Sequence, residues 1–406
     1  MGSASKRPPI LTGLRVLDLG HQYAAANCCS ILADLGAEVL QVEHPTGGPI
    51  RNMLPKKGAH SLWWKVVERG KKHITLNLSS PRGREILLEI AREYDVLVEN
   101  FRPGTLEKWR LGPDDLEAAG LNLTMVRISG FGQTGPYSAR PGYGSVAEAM
   151  SGFAHMNGYP DGPPTFPSST LADGVASLWA VIGALASAYG NREARNGVEV
   201  VDVSLVEALF RIIPTQIASY DQNDQILTRP GNFTGRNGSL RNVYRTRDDR
   251  WFIVAGTGGT IRPILVGAGA TALVTELDTG LLKGEDMDAI ATFLQRCDTH
   301  LADWAAVRDY NEVETTMRDA GAVFAPVYNA ADIMKDPHFK ERDQIVTLPD
   351  PDLGSIRMQG VTPRFPGRDH AIRHPGRGIG WDNAEFYSAL GVTEEEIATM
   401  RRERII

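Results

Sequence analysis

The sequence predicts an α/β protein with a large, doubly wound parallel sheet followed by a smaller α+β unit. Two observations lead to this fold class. The first 200 or so of the 406 residues alternate short apolar runs with helical patterns, and the character changes after a polar stretch at 222–240. A chain of this length is also too long for a single typical core, so two domains are expected.

The elements of the large domain follow in chain order. Each short apolar run is typical of a strand buried on both faces of a parallel sheet. The predicted strands are 14–19, 37–42, 74–76, 95–98, 124–129 and 198–203. The predicted helices are 24–35, one opened by Pro81, 143–153, 170–190 and 204–221. Pro81 suits a first helical position, because that position needs no backbone N–H.

The remainder predicts the small domain and a return of the chain. Strands are expected at 243–247, 251–254 and 326–328, with helices near 285–297 and 311–320. A C-terminal helix at 393–403 is expected to rejoin the large domain. The predicted boundaries are therefore 1–225 for the large domain, 226–330 for the small domain and 331–406 for the returning segment.

Composition excludes several classes of protein. A net charge of −6 without a dense basic block argues against a general nucleic-acid binder. The N-terminus lacks the apolar stretch of a signal peptide, and no apolar run reaches the ~20 residues of a membrane span. Three cysteines suit a reducing cytoplasm, where we expect the protein. The adjacent Cys28 and Cys29 are interpreted as small buried residues in preference to a redox pair.

One motif suggests a nucleotide site that the neighbouring residues argue against. Residues 130–135, GFGQTG, match the dinucleotide fingerprint and follow a strand. That motif works only if a helix begins within it and points its N-terminus at the pyrophosphate. Pro136, Pro141 and Gly142 prevent a helix from starting on schedule. We therefore expect a loop near the active site and no NAD.

Five segments, taken together and in this order, resemble the class III (CaiB/BaiF) CoA-transferases, which include formyl-CoA:oxalate and carnitine-type CoA-transferases. These segments are LRVLDLGHQYAAANCCSILADLGAEVLQVEHP (14–45), DVLVENFRPGTLEKWRLG (95–112), ISGFGQTGPYSARPGYG (128–144), DGPPTFPSSTLADG (161–174) and NGVEVVDVSLVEAL (196–209). The resemblance covers most of residues 11–221 and continues more weakly toward the C-terminus. ENFRPG followed by SGFGQTGP and RPGY is its most specific part.

The resemblance implies a large Rossmann-like domain, a small domain and two chains interlocked as a homodimer. It also implies acyl-CoA and carboxylic acids as substrates, with neither a metal nor NAD. The nucleophile of these enzymes is an aspartate that follows a proline-rich loop at a helix start. The matching residue is Asp173.

A carboxylate at this position suits the chemistry of CoA exchange. CoA exchange involves no net hydrolysis, so the acyl group must stay activated throughout. A carboxylate nucleophile meets this need because its acyl derivatives are themselves activated. At a helix start, free N–H groups and the helix dipole are expected to stabilise the Asp173 anion by roughly 0.3–1 kcal/mol and so to keep it ionised. The same N–H groups are expected to stabilise the oxyanions formed during attack. Aspartate is also a favoured helix cap, so the flanking motifs decide for catalysis.

The resemblance also implies a set of CoA contacts. Those expected along the CoA path are His21, Gln22, Ala24, His44, Leu76, Asn77, Leu78, Ser79, Asn100, Phe101, Lys108, Arg140 and Tyr143. Lys71 and Lys72 are expected to add positive charge nearby. Arg140, Arg236 and Arg241 are candidates to clamp a second carboxylate, since a guanidinium pairs with carboxylates through two parallel hydrogen bonds.

Two alternatives stay open. The first is an α-methylacyl-CoA racemase, which pairs the equivalent aspartate with a histidine after the SGFGQTGP-type loop. This chain has Arg140 to Tyr143 there, and the next histidine is His155 beyond the following helix, so a transferase is favoured. The second is a CoA-binding protein without turnover, which the presence of Asp173 disfavours.

The acid pair is not fixed by the sequence. Succinate or another dicarboxylate is the preferred donor acid, and carnitine-like acceptors stay open. In formyl-CoA transferases a glycine run of the small domain covers the aspartate, and only residues 236–238 or 256–259 can substitute for it here.

Overall fold

We describe the protein from a computed structural model, whose described residues are 6–190, 197–233, 235, 238–284 and 286–406. The chain divides into two compact units. The first comprises Met1–Phe153, Phe166–Ala218 and Pro337–Ile406, and the second comprises Ala154–Thr165 and Ser219–Asp336. The mixed α/β class predicted from the sequence is confirmed.

The first unit is organised around a six-stranded sheet in the order β5-β2-β1-β6-β7-β8, with every neighbouring pair parallel. The strands of the chain are β1 (Arg15–Asp18), β2 (Glu38–Glu43), β3 (Lys56–Lys57), β4 (His60–Ser61), β5 (Lys72–Thr75), β6 (Val96–Glu99), β7 (Thr124–Ser129), β8 (Glu199–Ser204), β9 (Ser239–Arg245), β10 (Trp251–Thr257), β11 (Phe324–Pro326), β12 (Ile345–Asp350) and β13 (Gly354–Gln359). The six predicted strands of the large domain correspond to the six strands of this sheet.

Helices of the first unit cover both faces of the sheet. The helices of both units are numbered in chain order. They are α1 (Tyr23–Asp34), α2 (Leu62–Val67), α3 (Pro81–Ala91), α4 (Thr105–Lys108), α5 (Pro113–Ala118), α6 (Gly144–Met150), α7 (Phe153–Met156), α8 (Leu171–Gly190), α9 (Leu205–Arg211), α10 (Gln216–Asn223), α11 (Ile261–Gly267), α12 (Thr271–Leu277), α13 (Met287–Ala306), α14 (Tyr310–Asp319), α15 (Ala330–Ile333), α16 (Pro337–Glu341), α17 (Asn383–Ala389) and α18 (Glu394–Arg402).

The alternation of side chains along the strands separates two cores. Leu17 of β1 packs in a cluster with Leu87 of α3 and with Ile397 and Met400 of α18. The adjacent Val16 packs on the opposite face with α1, α8 and α9. Because strand side chains point alternately to opposite faces, an apolar run without polar interruption is what a sheet covered on both sides requires.

Helix α8 is long and apolar enough to cross a membrane by length and composition. In the structure its small residues at spacings of four, Ala172, Ala176, Ala180 and Ala184, are buried in the same cluster as α1. Small side chains at this period let the two helices approach closely. The helix therefore packs against α1 and the sheet.

Several elements differ from the prediction. The helix expected at 204–221 is two helices, α9 and α10, because Pro214 cannot donate the backbone hydrogen bond that a continuous helix needs. The helix expected at 285–297 extends to Ala306 as α13. The hairpin β12–β13 and helices α11, α12 and α17 were not predicted, since their short segments lack a clear period.

The second unit contains the three-stranded antiparallel sheet β11-β10-β9. Its core combines Phe252 and Val254 of β10 with Phe293 and Leu301 of α13. Parallel strands end at a common edge, so the loops after β1, β2, β5, β6 and β7 of the first unit meet there. The candidate site lies at that edge.

Candidate active site

A cavity of about 120 Å³ lies at the carboxyl edge of the sheet, and Asp173 is in its wall. The residues around it come from the loops after β1, β6 and β7 and from the starts of α8 and α9. Its lining residues are His21, Gln22, Ala24, Asn100, Phe101, Arg102, Pro103, Ile128, Ser129, Gly130, Ser138, Arg140, Gly142, Tyr143, Asp173 and Leu205. The structure thus brings together eight of the residues expected from the sequence.

Asp173 stands in the first turn of α8, as predicted. Glycine at 144 is required beside it, because a Cβ there would overlap Asp173 Oδ2. Gly144 is the first residue of α6, so the two helices converge at the carboxylate. On the other side of the same turn, Tyr23 has its hydroxyl about 4.0 Å from the position that a Cβ on Gly174 would take.

Burial dominates the electrostatics of Asp173. Desolvation raises its pKa from 3.8 to about 6, the hydrogen bond from its own backbone N–H lowers the pKa, and the negative charge of Glu148 raises it. A carboxylate with this pKa is mostly ionised at pH 7, yet it is more basic than an ordinary aspartate.

The expectation that free helix N–H groups stabilise this anion is wrong for two of those groups. The N–H of Ala172 donates to Glu148 Oε1 at 3.3 Å, and the N–H of Gly174 donates to the Thr170 carbonyl at 3.0 Å. Neither amide is free to receive an oxyanion. Sequence periodicity gave no indication that a side chain of α6 would reach the start of α8.

A second cavity, of about 220 Å³, lies beside the first. It is lined by Leu19, Gly20, His21, Gln41, Val42, Glu43, His44, Gly47, Gly48, Pro49, Ile50, Trp64, Glu68, Leu76, Asn77, Leu78, Ser79, Phe101 and Trp109. His21 and Phe101 line both cavities, and their rings stack at 4.7 Å. Phe101 in turn meets Trp109 edge to face at 5.2 Å. The two cavities therefore share a wall formed by these rings.

The sequence reasoning missed Gln41, Glu43 and Trp64 in the wall of this second cavity, and Arg51, which contacts Trp64. The Arg51 guanidinium lies 3.4 Å from the Trp64 ring centroid, and it is held by Glu43, to which its Nε donates at 2.8 Å. Gln41 and Glu43 are buried polar side chains of β2. The polar residues at 41 and 43 in an otherwise apolar run were the available signal, because buried polar groups need a local reason.

The predicted roles of two lysines are wrong. Lys71 is fully buried, and its Nζ lies 2.8 Å from both Asp18 Oδ2 and Glu68 Oε2. The Lys71 ammonium group is engaged by these two carboxylates, so it is not available to bind a phosphate. Lys72 pairs with Glu38 at 3.7 Å at the opposite end of the strands. To bind a phosphate, Lys71 would have to leave its two carboxylate partners, and separating a buried charge from its partners is costly.

Two other expected residues lie outside these cavities. Lys108 is exposed on α4 and lines neither cavity. Arg241 belongs to the second unit, where its Nε donates to the Asn232 carbonyl at 3.4 Å. Arg236 and Asn237 lie outside the described residues.

The glycine-rich loop that resembles a dinucleotide fingerprint begins no helix before α6. Its two ends touch at Gly130 and Gly142, where a Cβ on Gly130 would lie 2.7 Å from the Gly142 Cα. The glycines therefore serve a close backbone approach, and the loop presents Arg140 and Tyr143 to the cavity around Asp173. The Arg140 guanidinium stacks on Tyr137 at 3.7 Å.

Comparison with known proteins shows the family of the chain. The model of CoA-transferase family III matches residues 11–383. The chain is 36% identical to the succinyl-CoA–D-citramalate CoA-transferase of Chloroflexus aurantiacus, over 99% of this chain and 100% of that protein. It is 33% identical to the beta subunit of succinyl-CoA–L-malate CoA-transferase of the same organism, over 98% of each chain.

Solved structures share the fold. A CAIB/BAIF family protein from Brucella suis matches 95% of this chain and 100% of its own with a TM-score of 0.81 and 24% identity. A protein from Mycobacterium tuberculosis matches 94% of this chain and 99% of its own with a TM-score of 0.77 and 23% identity.

Proposed function

The chain belongs to CoA-transferase family III and is a CoA-transferase, and we propose that it moves CoA from succinyl-CoA to a second dicarboxylic acid through a thioester on Asp173. The observation that carries the mechanism is the position of Asp173, a half-buried carboxylate of raised pKa in a cavity that adjoins an apolar, aromatic-lined one. The names of the relatives support the donor and suggest citramalate and malate as acceptors.

The reaction balances without water or a net proton. An oxygen of Asp173 attacks the succinyl thioester carbonyl. The C–S bond then breaks, so CoA leaves as a thiolate and a mixed anhydride of Asp173 and succinate remains. The thiolate attacks the Asp173 carbonyl of that anhydride and releases succinate, which leaves an aspartyl-CoA thioester. The acceptor carboxylate then attacks this thioester, and the returning thiolate takes the acceptor acyl group and frees Asp173.

The properties of Asp173 suit both roles. Its raised pKa makes it a stronger nucleophile than an exposed carboxylate, and burial limits the access of water to the anhydride. Arg102 and Arg140 line the same cavity and are candidates to hold the distal carboxylate of a dicarboxylic acid.

The second cavity is proposed to take the adenine end of CoA. Its aromatic and aliphatic walls suit a flat heteroaromatic ring, and the stacked His21 and Phe101 mark the path of the pantetheine arm. The expected contacts at 76–79, together with His44, lie in the wall of this cavity.

We also propose a homodimer. Large apolar side chains are exposed on three helices that pack against one another: Val146 and Met150 on α6, Leu178 and Ile182 on α8, and Phe210 on α9. The spacing of four residues puts each helical pair on one face. An apolar surface of this kind on a folded unit is typical of an interface, and a second copy of the chain is the partner we propose.

The transfer activity is tested directly by incubating the enzyme with succinyl-CoA and either D-citramalate or L-malate and separating the CoA thioesters by chromatography. We expect a new acceptor thioester with wild-type enzyme and none with Asp173→Asn. Asp288→Asn, an exposed first-turn aspartate of α13, is the matched control and should be fully active. Activity retained by Asp173→Asn would overturn the assignment of the nucleophile.

One observation bears on the racemase alternative. His21 lines the cavity of Asp173, and burial lowers its pKa, so a neutral imidazole is available there. A racemase exchanges the α-proton of a 2-methylacyl-CoA with deuterated solvent in the absence of an acceptor acid. We expect the wild-type enzyme to incorporate no deuterium. Incorporation by the wild type that is abolished in His21→Ala would favour the isomerase.

A further inference from the structure

Glu148 is a buried carboxylate that the proposed transfer mechanism does not use. It lies on α6 with 3% of its surface exposed, and α6 packs against the start of α8. Its Oε1 accepts the N–H of Ala172, the residue that precedes Asp173. The Glu148 carboxylate is therefore held against the residue that precedes Asp173, where its charge acts on the half-buried Asp173 carboxylate.

The hydrogen bond alone does not require a charge. A glutamine amide oxygen, or a serine or asparagine cap, satisfies a helix N–H as well. A buried acidic side chain beside a second one is unfavourable, because like charges repel strongly where water is excluded. Pairs of like charges that shift a pKa cluster at functional sites.

Resting on the proposed function, we propose that Glu148 is a positioning residue whose negative charge favours acylation of Asp173. The repulsion acts on the free carboxylate of Asp173 and disappears when that carboxylate becomes an anhydride or a thioester, since both are neutral. Glu148 thus destabilises the resting Asp173 anion relative to each covalent intermediate. The hydrogen bond that Glu148 accepts from the Ala172 N–H fixes the position from which its charge acts.

The same repulsion acts on protonation, which gives a measurable link. Any interaction that opposes the Asp173 anion raises its pKa, and Glu148 has this effect alongside the larger effect of burial. Since protonation and acylation both neutralise Asp173, a fall of one pH unit in its pKa corresponds to about a tenfold fall in the acylation equilibrium constant.

Other ionisable groups near Asp173 must be held constant in such a test. From the surrounding elements these are His21 and Tyr23 at the start of α1, Arg102 after β6, and Arg140 and Tyr143 before α6. None of them is altered in the variants below.

The variant Glu148→Gln removes the charge and keeps the acceptor for Ala172. We expect the acidic limb of the kcat/KM profile for succinyl-CoA, near pH 6 in the wild type, to move down by roughly half to one pH unit. We also expect the equilibrium fraction of aspartyl-CoA to fall about three- to tenfold, with a melting temperature close to that of the wild type. Glu207→Gln, an exposed carboxylate on α9, is the matched control and should leave both readouts unchanged.

A purely structural role predicts a different pattern. In that case Glu148→Gln superimposes on the wild-type profile, while Glu148→Ala lowers the melting temperature, and this result would overturn the proposal. Should Glu148→Gln fail to fold, Glu148→Asp retains the charge and must keep the wild-type acidic limb, and a limb shifted down in this variant would equally contradict it. Failure of the proposed function itself is separate, since the wild-type enzyme would then form no aspartyl-CoA.

Discussion

Asp173→Asn is expected to stabilise the protein while it abolishes activity. The pKa of Asp173 is about 6 in the folded protein and 3.8 is its ordinary value, so the native state holds a proton that the unfolded chain releases between these pH values. The free energy of unfolding therefore falls as the pH rises from about 4 to about 6 and is level above that. At roughly 1.4 kcal/mol per pH unit, ionisation of Asp173 costs about 3 kcal/mol at pH 7.5.

Asparagine has nearly the same shape and no charge, so it removes this cost. Chemical unfolding of the wild type and Asp173→Asn, followed by tryptophan fluorescence, should differ by up to about 3 kcal/mol at pH 7.5 and by only about 1 kcal/mol at pH 4.5. Asp288→Asn, exposed on α13, controls for the loss of an aspartate and should show no such pH dependence. Equal stability of the wild type and Asp173→Asn at both pH values would refute the reasoning that burial sets the pKa.

The remaining predictions concern three other features. Trp109→Ala should raise the KM for succinyl-CoA about tenfold with little change in kcat, as measured by steady-state kinetics. The reason is that the Trp109 ring lines the cavity proposed for adenine and does not line the cavity of Asp173. Lys71→Met leaves Asp18 and Glu68 without their cation and should lower the free energy of unfolding by about 3–5 kcal/mol in a denaturant titration. Leu178→Glu places a charge on the exposed apolar face of α8 and should yield monomers by light scattering, whereas the same change at the exposed Val307 of α13's C-cap should not.

The sequence predicted the parallel sheet well for a physical reason. Strands buried on both faces are rich in apolar residues, and the run at 124–129 coincides with β7. Helix ends were less predictable. Nothing in the pattern at 285–297 indicated that α13 continues to Ala306, because that helix is held by tertiary packing of residues such as Leu301 and Trp304.

The candidate site was predictable where motifs carried it and not where ion pairs decided it. The turn that presents Asp173 and the loops that present Asn100 and Phe101 follow from the sequence. The ion pairs of Lys71 do not follow from the sequence, since only the fold brings Asp18 and Glu68 to its ammonium group. The Arg51–Trp64 contact was missed for the same reason, because the two residues face each other across a turn and a helix start.

The most direct test of the mechanism is mass spectrometry of the enzyme quenched after incubation with succinyl-CoA alone. Proteolysis should yield the peptide that contains Asp173 with the added mass of CoA in thioester linkage, and reduction with borohydride should convert it to the alcohol. Asp288→Asn should give the same adduct, and Asp173→Asn should give none. An unmodified Asp173 peptide from enzyme that still transfers CoA would contradict the account.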